Sequence, residues 1–535
     1  MTADREPKGV RLVVRGLFVL VPVGYGLLAL ALGMDASWDL RNYHYYGAYA
    51  FLSGRLGFDV LLAHPVPSFF NPTIDVPFFL AAEALPARSV GFLLGLVQGL
   101  NFWPLFGTAH AVLLVSDARR KLFAAAGLAL LGMTGAGALS ELGTTFYDNV
   151  VSLGPLCALW LVVRRYPTLL DGRVHVASRI VLVAGLAAGV AVGLKPVVAP
   201  LAAGLCLAFL FQPGARWRRV LHAASFGLGA GAGVLATAGH WMAYLWHSYG
   251  NPIFPLYNQI FLSPMALPED YRQVFRVPDS LLARLFFPVA YTVDPYATAE
   301  VWFRDHRVLV SFFSVLAVAA VHLFWRRERP VARLSHPAAT RYVLGAVSIA
   351  YVLWAVMFSV YRYLMPLEML APLVIVLAIG LFPLARPTRV AVAVGLLAFV
   401  ALSVQPADWG RLAWTEKWVT VTLPALPRPD RTLVLMPGQE PLSFLVPAFP
   451  PAVRFVRIRG PETGPGGTGA WFRNMIREII DRHDGDLYGL FIPVDAGTAG
   501  AQVALHGLSI DWGACQTVSS SIGPMPYDFC PLRRD

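Results

Sequence analysis

Two apolar stretches decide the fold, "LFVLVPVGYGLLALALGM" (residues 17–34) and "VLVAGLAAGVAVGL" (181–194), and neither contains a charged side chain. Inside lipid, the backbone polar groups of such stretches can be satisfied only when each forms a helix. Of the 535 residues, 56% are hydrophobic and 14% are charged, which is more apolar surface than a soluble core of this length buries. The sequence therefore predicts a polytopic, all-α membrane protein.

The basic residues give this bundle a predicted orientation. The formal net charge of +11 could indicate nucleic-acid binding, but arginines and lysines recur after alternate apolar runs, as in cytoplasmic loops. The first apolar segment, about 12–34, is too long for a signal-peptide core and is expected to remain as an anchor. This pattern predicts a cytoplasmic amino terminus, a multi-pass protein of a bacterial inner membrane, and no nucleic-acid partner.

About eleven transmembrane helices are predicted from the apolar runs and their basic flanks. They lie near residues 12–33, 89–115, 122–140, 149–163, 180–194, 197–211, 220–246, 308–325, 342–360, 367–385 and 390–404. An odd number of spans places the carboxyl end on the outer side. The outer face then receives the segments 35–88, 140–149 and 247–307 and everything after about 405, so the chemistry is expected there.

Residues 405–535 have the hydropathy of a globular domain. "RTLVLMPG", "VRFVRIRG" and "DLYGLFIPVD" are typical of short buried strands, and "TGAWFRNMIREIIDRHDG" has helical spacing. We therefore expect a transmembrane module over 1–404 and a small periplasmic α/β domain over 405–535. Cys515 and Cys530 are expected to form a disulfide in an oxidising compartment. The glycine-rich stretch 460–471 lacks the lysine of a phosphate loop and is interpreted as a flexible loop.

Acidic residues follow the first span in "MDASWDLRNYHYYGAYAFL" (34–52). A helical turn would place Asp35 and Asp39 on one face, with Tyr43 one turn further along. The alternative is an interfacial helix in which tyrosines form an aromatic belt and Asp35 or Ser37 caps the helix. Asp39 is less suited to capping, so we interpret it as a candidate base.

Other ionisable residues are predicted to reach the same outer face, where charged groups near membrane depth are costly unless paired, wet or functional. Asp148 lies in the outer turn "ELGTTFYDN" (141–149), where a turn-forming Asp-Asn pair is an equal alternative. Lys195, at the tip of a short helix hairpin, either snorkels or binds an anion. In "YRYLMPLE" (361–368), Arg362 either snorkels or holds a phosphate bidentately. The loop "YGNPIFPLYN" (249–258) cannot be a helix and is suited to lining a wet cavity.

Together these features resemble the glycosyltransferase family C superfamily, in which integral-membrane enzymes transfer sugars from polyprenyl-phosphate donors. The resemblance rests on three motifs that are similar to those of bacterial members, "WDLRNYHYYGAYAFLSGRLGFD", "GNPIFPLYN" and "YRYLMP". It covers roughly residues 1–404. It implies that Asp39 deprotonates an acceptor hydroxyl, that Asp148 assists, and that Arg362 with Lys195 neutralises the departing phosphate. Asp35 remains an alternative base, because Leu40 follows Asp39 where several subfamilies have a second acid.

The resemblance implies an inverting single displacement with a polyprenyl-phosphate sugar as donor, a lipid or glycan as acceptor, and membrane lipids as surroundings. Tyr43, His44, Asn71, Asn251 and Tyr363 are predicted to contact the substrate. No metal ligands are assigned and no cofactor is required, although a divalent metal stays an open alternative. The main rival interpretation is a transporter or flippase of a lipid-linked saccharide, and a third is an inactive scaffold whose terminal domain binds cell-wall material. The large outer loops and the lack of detectable inverted repeats favour catalysis over that rival.

Overall fold

The computed structural model describes residues 8–61, 66–272, 274–324, 333–460, 470–523 and 526–535. Residues 461–469, which make up most of the predicted glycine-rich loop, lie outside the described residues. Arg5, Arg326, Arg327 and Arg329, four of the basic residues that flank the predicted spans, also lie outside the described residues.

The helices are numbered in chain order. They are α1 (Lys8–Leu32), α2 (Tyr45–Leu52), α3 (Val76–Ala84), α4 (Ala87–Gly99), α5 (Phe102–Val112), α6 (Ala118–Met133), α7 (Ala136–Ser140), α8 (Asp148–Arg164), α9 (Tyr166–Asp171), α10 (Val174–Leu194), α11 (Ala199–Ala208), α12 (Arg216–Tyr249), α13 (Asn258–Phe261), α14 (Leu281–Leu285), α15 (Phe287–Val293), α16 (Arg307–Phe324), α17 (Pro337–Met357), α18 (Met365–Gly380), α19 (Arg386–Ser403), α20 (Ala470–Arg482) and α21 (Ala496–Ala504).

The strands are short and most lie near the carboxyl end. They are β1 (Met34–Asp35), β2 (Arg411–Leu412), β3 (Val421–Thr422), β4 (Thr432–Met436), β5 (Arg454–Arg457), β6 (Asp486–Phe491), β7 (Leu508–Ile510), β8 (Gln516–Ser520) and β9 (Tyr527–Arg534).

Within the described residues, eight helical segments are long and apolar enough to cross a membrane. They are Gly9–Leu32, Ala87–Val112, Val174–Leu194, Arg216–Tyr249, Arg307–Phe324, Pro337–Met357, Tyr361–Gly380 and Arg386–Ser403. The other three predicted spans are also helices, but α6 has 16 residues, α8 has 17 and α11 has 10. The predicted fold class, a polytopic helical bundle with a small α/β domain, is confirmed.

The chain divides into two compact units. One, called here the helical unit, comprises Met1–Ala31, Phe92–Gly239 and Gln273–Asp408; the other, the mixed unit, comprises Leu32–Gly91, His240–Arg272 and Trp409–Asp535. The mixed unit therefore groups the first outer segment and part of the 247–307 loop with the terminal domain. The division into a transmembrane module over 1–404 and a periplasmic domain over 405–535 stays a prediction.

The helical unit is built around α18, because 89% of the span Tyr361–Gly380 is buried. Small residues let neighbouring backbones approach closely, as is usual between membrane helices. On α10, a Cβ added at Gly189 would lie 2.0 Å from the Ala230 carbonyl oxygen of α12, and one added at Gly185 would lie 2.1 Å from that of Phe226. Tight helix contacts of this kind fix the ends of the helices, where the polar residues lie.

The mixed unit is organised by a seven-stranded sheet with the order β3-β8-β9-β6-β4-β5, in which β7 also pairs with β9. Strand β4 lies between β5 and β6 and runs parallel to both, and β6 is antiparallel to β9. Apolar side chains of α20, including Ile476 and Ile480, pack in one core with Leu433 of β4 and Leu487 of β6. Cys515 and Cys530 form a disulfide next to the β8–β9 pairing.

The first outer segment is joined to the carboxyl-terminal part of the chain by backbone pairing, first in a separate two-stranded sheet and then at strand β5 of the terminal sheet. β1 is antiparallel to β2, with Met34 opposite Leu412 and Asp35 opposite Arg411. Further along, Val60 forms a parallel bridge with Val456 of β5. Asp59 is fully buried and accepts hydrogen bonds from Arg55 and from the Phe455 amide nitrogen. The segment that carries Asp39 is thus held at both ends.

Candidate active site

The predicted site residues fall in both units. Asp35, Asp39, Tyr43, His44, Asn71 and Asn251 belong to the mixed unit, and Asp148, Lys195, Arg362 and Tyr363 belong to the helical unit.

In the mixed unit, Asp35 and Asp39 do not share the predicted helical turn. Asp35 lies in β1, is 1% exposed, and accepts the Ser37 amide at 2.9 Å through Oδ1. Ser37 Oγ in turn accepts the Leu40 amide at 3.4 Å, as an N-cap residue does. The strand pairing with β2 overrides the helical spacing that the sequence indicated. Asp35 and Ser37 therefore form the capping arrangement that was the alternative.

Asp39 lies at the start of the helix that follows, immediately before a π-helical turn at Leu40–His44. Tyr43 is one turn further along, as predicted, and its hydroxyl donates to Asp39 Oδ2 at 3.1 Å. Asp39 is half-buried, whereas Tyr43 is buried. Single π turns inside α-helices occur frequently at functional sites, because the extra residue reorients the side chains on either side. The turn gives Asp39 a fixed neighbour and leaves it partly accessible.

The other predicted contacts in this unit have structural partners. His44 Nδ1 and Asp75 Oδ1 are 2.7 Å apart, and both side chains are buried. Asn71 Oδ1 accepts the Thr73 amide at 3.1 Å and so caps a 3₁₀ turn. Asn251 accepts the Ile253 amide and donates to the Leu256 carbonyl, both at 3.0 Å. These hydrogen bonds hold the non-helical outer loops in place.

In the helical unit, Asp148 and Lys195 form a buried ion pair. Asp148 is the first residue of α8, and Lys195 follows the last residue of α10. Lys195 Nζ lies 2.6 Å from Asp148 Oδ1 and also donates to the Phe146 carbonyl at 2.5 Å. Tyr147, between Phe146 and Asp148 in the sequence, has a left-handed backbone (φ 63°). This conformation is uncommon for a bulky residue and is found mainly where the surroundings enforce it.

Arg362, which is distant in the sequence, contacts the turn 141–149 that carries Asp148. Its guanidinium carbon lies 4.6 Å from the ring centroid of Phe146 and 5.8 Å from that of Tyr363. Phe146 therefore joins the three predicted residues, since its carbonyl accepts from Lys195 while its ring lies under Arg362. The structure brings Asp148, Lys195, Arg362 and Tyr363 together at one end of the helical unit.

Glu141 also belongs to this cluster and was not among the predicted residues. It is 0% exposed, and neither carboxylate oxygen has a hydrogen-bond partner among the described residues. Burial raises the pKa of the Glu141 carboxyl well above its usual value, and the negative charge of Asp148 raises it further, whereas Lys195 and Arg362 lower it. The sequence did contain a signal, because Glu141 opens the quoted turn "ELGTTFYDN" that delivers Asp148.

A second buried group holds the short helix α7, whose end leads into Glu141. Glu368 accepts the amides of Gly137 and Ala138 at 3.1 and 3.0 Å. Asp305 accepts the Ala136 amide at 2.8 Å and forms a fully buried ion pair with Arg307 at 2.8 Å. Glu368 was included in the quoted "YRYLMPLE" but not selected, although an acid within an apolar helix is costly enough to indicate a role.

The carboxylates do not fit a metal site built from protein ligands. In the described ranges, no group of three or more His, Cys, Asp or Glu side chains is placed to hold a metal ion. Asp148 is already engaged by Lys195.

No family model matches the chain, and no curated protein matches it. Among solved structures, the chain is similar to the crystal structure of the Archaeoglobus fulgidus oligosaccharyltransferase in the apo form. The identity is 13% and the TM-score 0.46, with 93% of this chain and 71% of that chain covered.

Proposed function

We propose that the chain is an integral-membrane glycosyltransferase that moves a sugar from a polyprenyl-phosphate donor to an acceptor hydroxyl on the outer face of a bacterial inner membrane. The observation that supports this most is the convergence of Lys195 and Arg362 on Phe146, beside the acids Asp148 and Glu141. Two cations at the ends of membrane helices suit a phosphate that is tethered to a lipid.

The energetic cost of this cluster supports a function for it. Removing charges from water is expensive, and the attraction within a buried pair often only balances that cost. A buried Lys-Asp pair is therefore weak evidence for stability alone, and ionisable groups near membrane depth commonly mark substrate sites. Arg362 supplies a planar fork of donors that can bind phosphate oxygens bidentately.

In the proposed reaction, Lys195 and Arg362 hold the donor phosphate, and the Asp39 carboxylate takes the proton from the acceptor hydroxyl. The acceptor oxygen forms a bond to the anomeric carbon, the bond from that carbon to the phosphate oxygen breaks, and the phosphate leaves with the electron pair. The configuration inverts in this single displacement. Arg362 and Lys195 stabilise the negative charge that grows on the phosphate.

Asp39→Asn tests the base directly. The amide keeps the shape of the carboxylate but accepts no proton, so we expect the rate of transfer to fall by about 10²- to 10⁴-fold, the usual contribution of a general base. The measurement is transfer of radiolabelled sugar from synthetic polyprenyl-phosphate sugars by the full chain in detergent. Asp430→Asn is the matched control, because Asp430 is exposed and lies in the same unit.

Arg362→Ala and Arg362→Lys extend the test to the donor site. We expect transfer to be nearly lost with alanine and partly restored with lysine, since lysine returns the charge without the bidentate geometry. Equal transfer rates for Asp39→Asn and the parent would remove Asp39 as the base. If the parent transfers no sugar across the donor panel yet moves lipid-linked saccharide across liposomes, the transporter interpretation replaces the enzyme.

A further inference from the structure

The mixed unit contains a cavity of about 190 Å³ that the reaction above does not use. It is formed by the first outer segment, the end of α12 and the start of α20. Of its 22 described lining residues nine are aromatic, among them Tyr46, Trp241, Tyr244 and Trp471. The volume is below the roughly 300–1,000 Å³ of sites for drug-sized ligands, so it suits a single small ring.

Asn42 is the polar residue that requires an explanation. It lines the cavity and is 3% exposed. Within the described ranges, neither its amide nitrogen nor its amide oxygen has a hydrogen-bond partner. Leaving a buried amide without hydrogen-bond partners is costly, so native proteins rarely keep one without a ligand or water. A carboxamide offers one acceptor and two donors side by side, which matches a pair of neighbouring hydroxyl groups.

The aromatic rings beside Asn42 are held rigidly. Trp241 Nε1 donates to the Phe69 carbonyl at 2.9 Å, and the Trp241 and Tyr244 rings stack with centroids 4.9 Å apart. Trp471 contacts Phe472 edge-on at 4.9 Å. Fixed aromatic faces next to a hydrogen-bonding amide recognise a ligand that is apolar on one face and hydroxylated at its edge.

The charges around the cavity indicate a neutral ligand. No lysine, arginine or histidine lines it among the described residues. Its two carboxylates are engaged, Asp59 with Arg55 and Tyr46, and Asp75 with His44. A phosphate or carboxylate would find no cation here, whereas a saccharide ring needs none.

The cavity also adjoins the proposed base. Tyr43 lines the cavity, and its hydroxyl donates to Asp39 at 3.1 Å. We propose that this cavity binds a neutral saccharide through Asn42 and the Trp241, Tyr244 and Trp471 rings, and that this saccharide is the acceptor. Its role as acceptor rests on the proposed function; its binding does not.

Asn42→Leu in the full chain tests the proposal. Leucine has the same branched heavy-atom skeleton, the adjoining cavity can accept its bulkier methyl groups, and it leaves no polar atom unsatisfied. We therefore expect a melting temperature equal to or above that of the parent, together with at least a tenfold loss of saccharide affinity. The probes are the methyl glycosides of glucose, galactose and N-acetylglucosamine, each a single ring, with oleate as an acyl-chain probe, measured by tryptophan fluorescence and saturation-transfer NMR. Trp471→Leu is the second variant, and Trp512→Leu is the control because Trp512 is exposed and does not line the cavity.

The outcomes separate this inference from the proposed function. Saccharide binding that Asn42→Leu and Trp471→Leu abolish and Trp512→Leu preserves supports the site, even if no sugar transfer is found. The inference is overturned if none of the three saccharides binds, if only oleate binds, or if Asn42→Leu lowers stability and leaves saccharide affinity intact. Sugar transfer whose acceptor KM is unchanged in both cavity variants overturns the acceptor role while the glycosyltransferase function stands.

Discussion

Glu141 is a fully buried carboxyl whose surroundings favour its neutral form. Burial and Asp148 raise its pKa, and the opposing cations Lys195 and Arg362 do not cancel that effect. In the unfolded chain the group ionises near its ordinary pKa of 4.5. Between that pH and the raised folded pKa, the folded chain binds more protons than the unfolded chain. Stability attributable to this group therefore falls as the pH rises above about 4.5.

Glu141→Gln should remove this pH dependence, because glutamine resembles the protonated acid and cannot ionise. We expect the variant and the parent to melt at similar temperatures near pH 4.5, and the variant to become the more stable of the two as the pH rises. The measurement is the melting temperature of the purified full chain in detergent from pH 4.5 to 9. A constant difference across this range would mean that Glu141 is ionised in the folded chain throughout.

Individual residues were partly predictable from the sequence. Asp148, Lys195 and Arg362 were selected because charges near membrane depth are costly, and the structure brings them together around Phe146. The cost of burying a charge near membrane depth applies equally to Glu141 and Glu368, which lie in the same motifs as Asp148 and Arg362. Asp35 was placed on the wrong element, since its pairing partner Arg411 lies 376 positions further along the chain.

At the scale of elements, α7 positions Glu141 through close packing against α18. A Cβ added at Gly135, just before α7, would lie 1.9 Å from Glu368 Oε1. Glu368 cannot move away without losing the amides of Gly137 and Ala138, which have no other described acceptor at the start of a helix. The glycine is therefore required for space and not for its backbone angles, because its φ is an ordinary −69°.

Gly135→Ala is therefore expected to destabilise the full chain by about 1–3 kcal/mol, through overpacking and loss of the cap. Gly127→Ala in α6 is the matched control, because a Cβ there meets nothing within 4 Å. The control should be neutral or stabilising by up to about 1 kcal/mol, given the better helix propensity of alanine. The measurement is the melting temperature of each variant in detergent. Equal shifts for the two variants would show that the Glu368 side chain moves aside for the added methyl group with little loss of stability.

Helices were the best predicted elements, because long apolar runs in lipid allow no other structure. Each of the eleven predicted spans falls on helical structure, but the spans 89–115 and 122–140 each cover two helices, α4 with α5 and α6 with α7. The π turn at Leu40–His44 was not predicted, since no local pattern distinguishes it from an ordinary helical turn. The strands of the terminal sheet were recognisable singly, but their order depends on contacts between distant residues.

At the scale of the whole molecule, sequence patterns do not show which segments form one unit. Periodicity is local, whereas the Val60–Val456 bridge and the β1–β2 pairing join segments hundreds of residues apart. The first outer segment is therefore part of the same compact unit as the terminal sheet. An Asp39 variant that perturbs this segment would disturb the sheet as well, so each variant needs its own melting curve.

The number of membrane crossings determines where the two ends of the chain lie. Eight crossings would place them on the same side, whereas eleven place them on opposite sides, and the difference rests on the shorter helices α6, α8 and α11. If α11 did not cross, Arg216, Arg218 and Arg219 would lie outside, against the usual bias of basic residues. The Cys515–Cys530 disulfide also requires an oxidising compartment.

We therefore expect eleven crossings and an outer carboxyl end. Alkaline phosphatase folds only where its disulfides can form, so a fusion after Asp535 should be active and one after Gly214, between α11 and α12, should be inactive. Green fluorescent protein fused at the same two positions should give the reverse pattern and serves as the control. In intact cells, thiol alkylation of Cys515 and Cys530 should require prior reduction. A fluorescent fusion at Asp535 with freely alkylated cysteines would mean an even number of crossings and would move the mixed unit, with Asp39, to the cytoplasm.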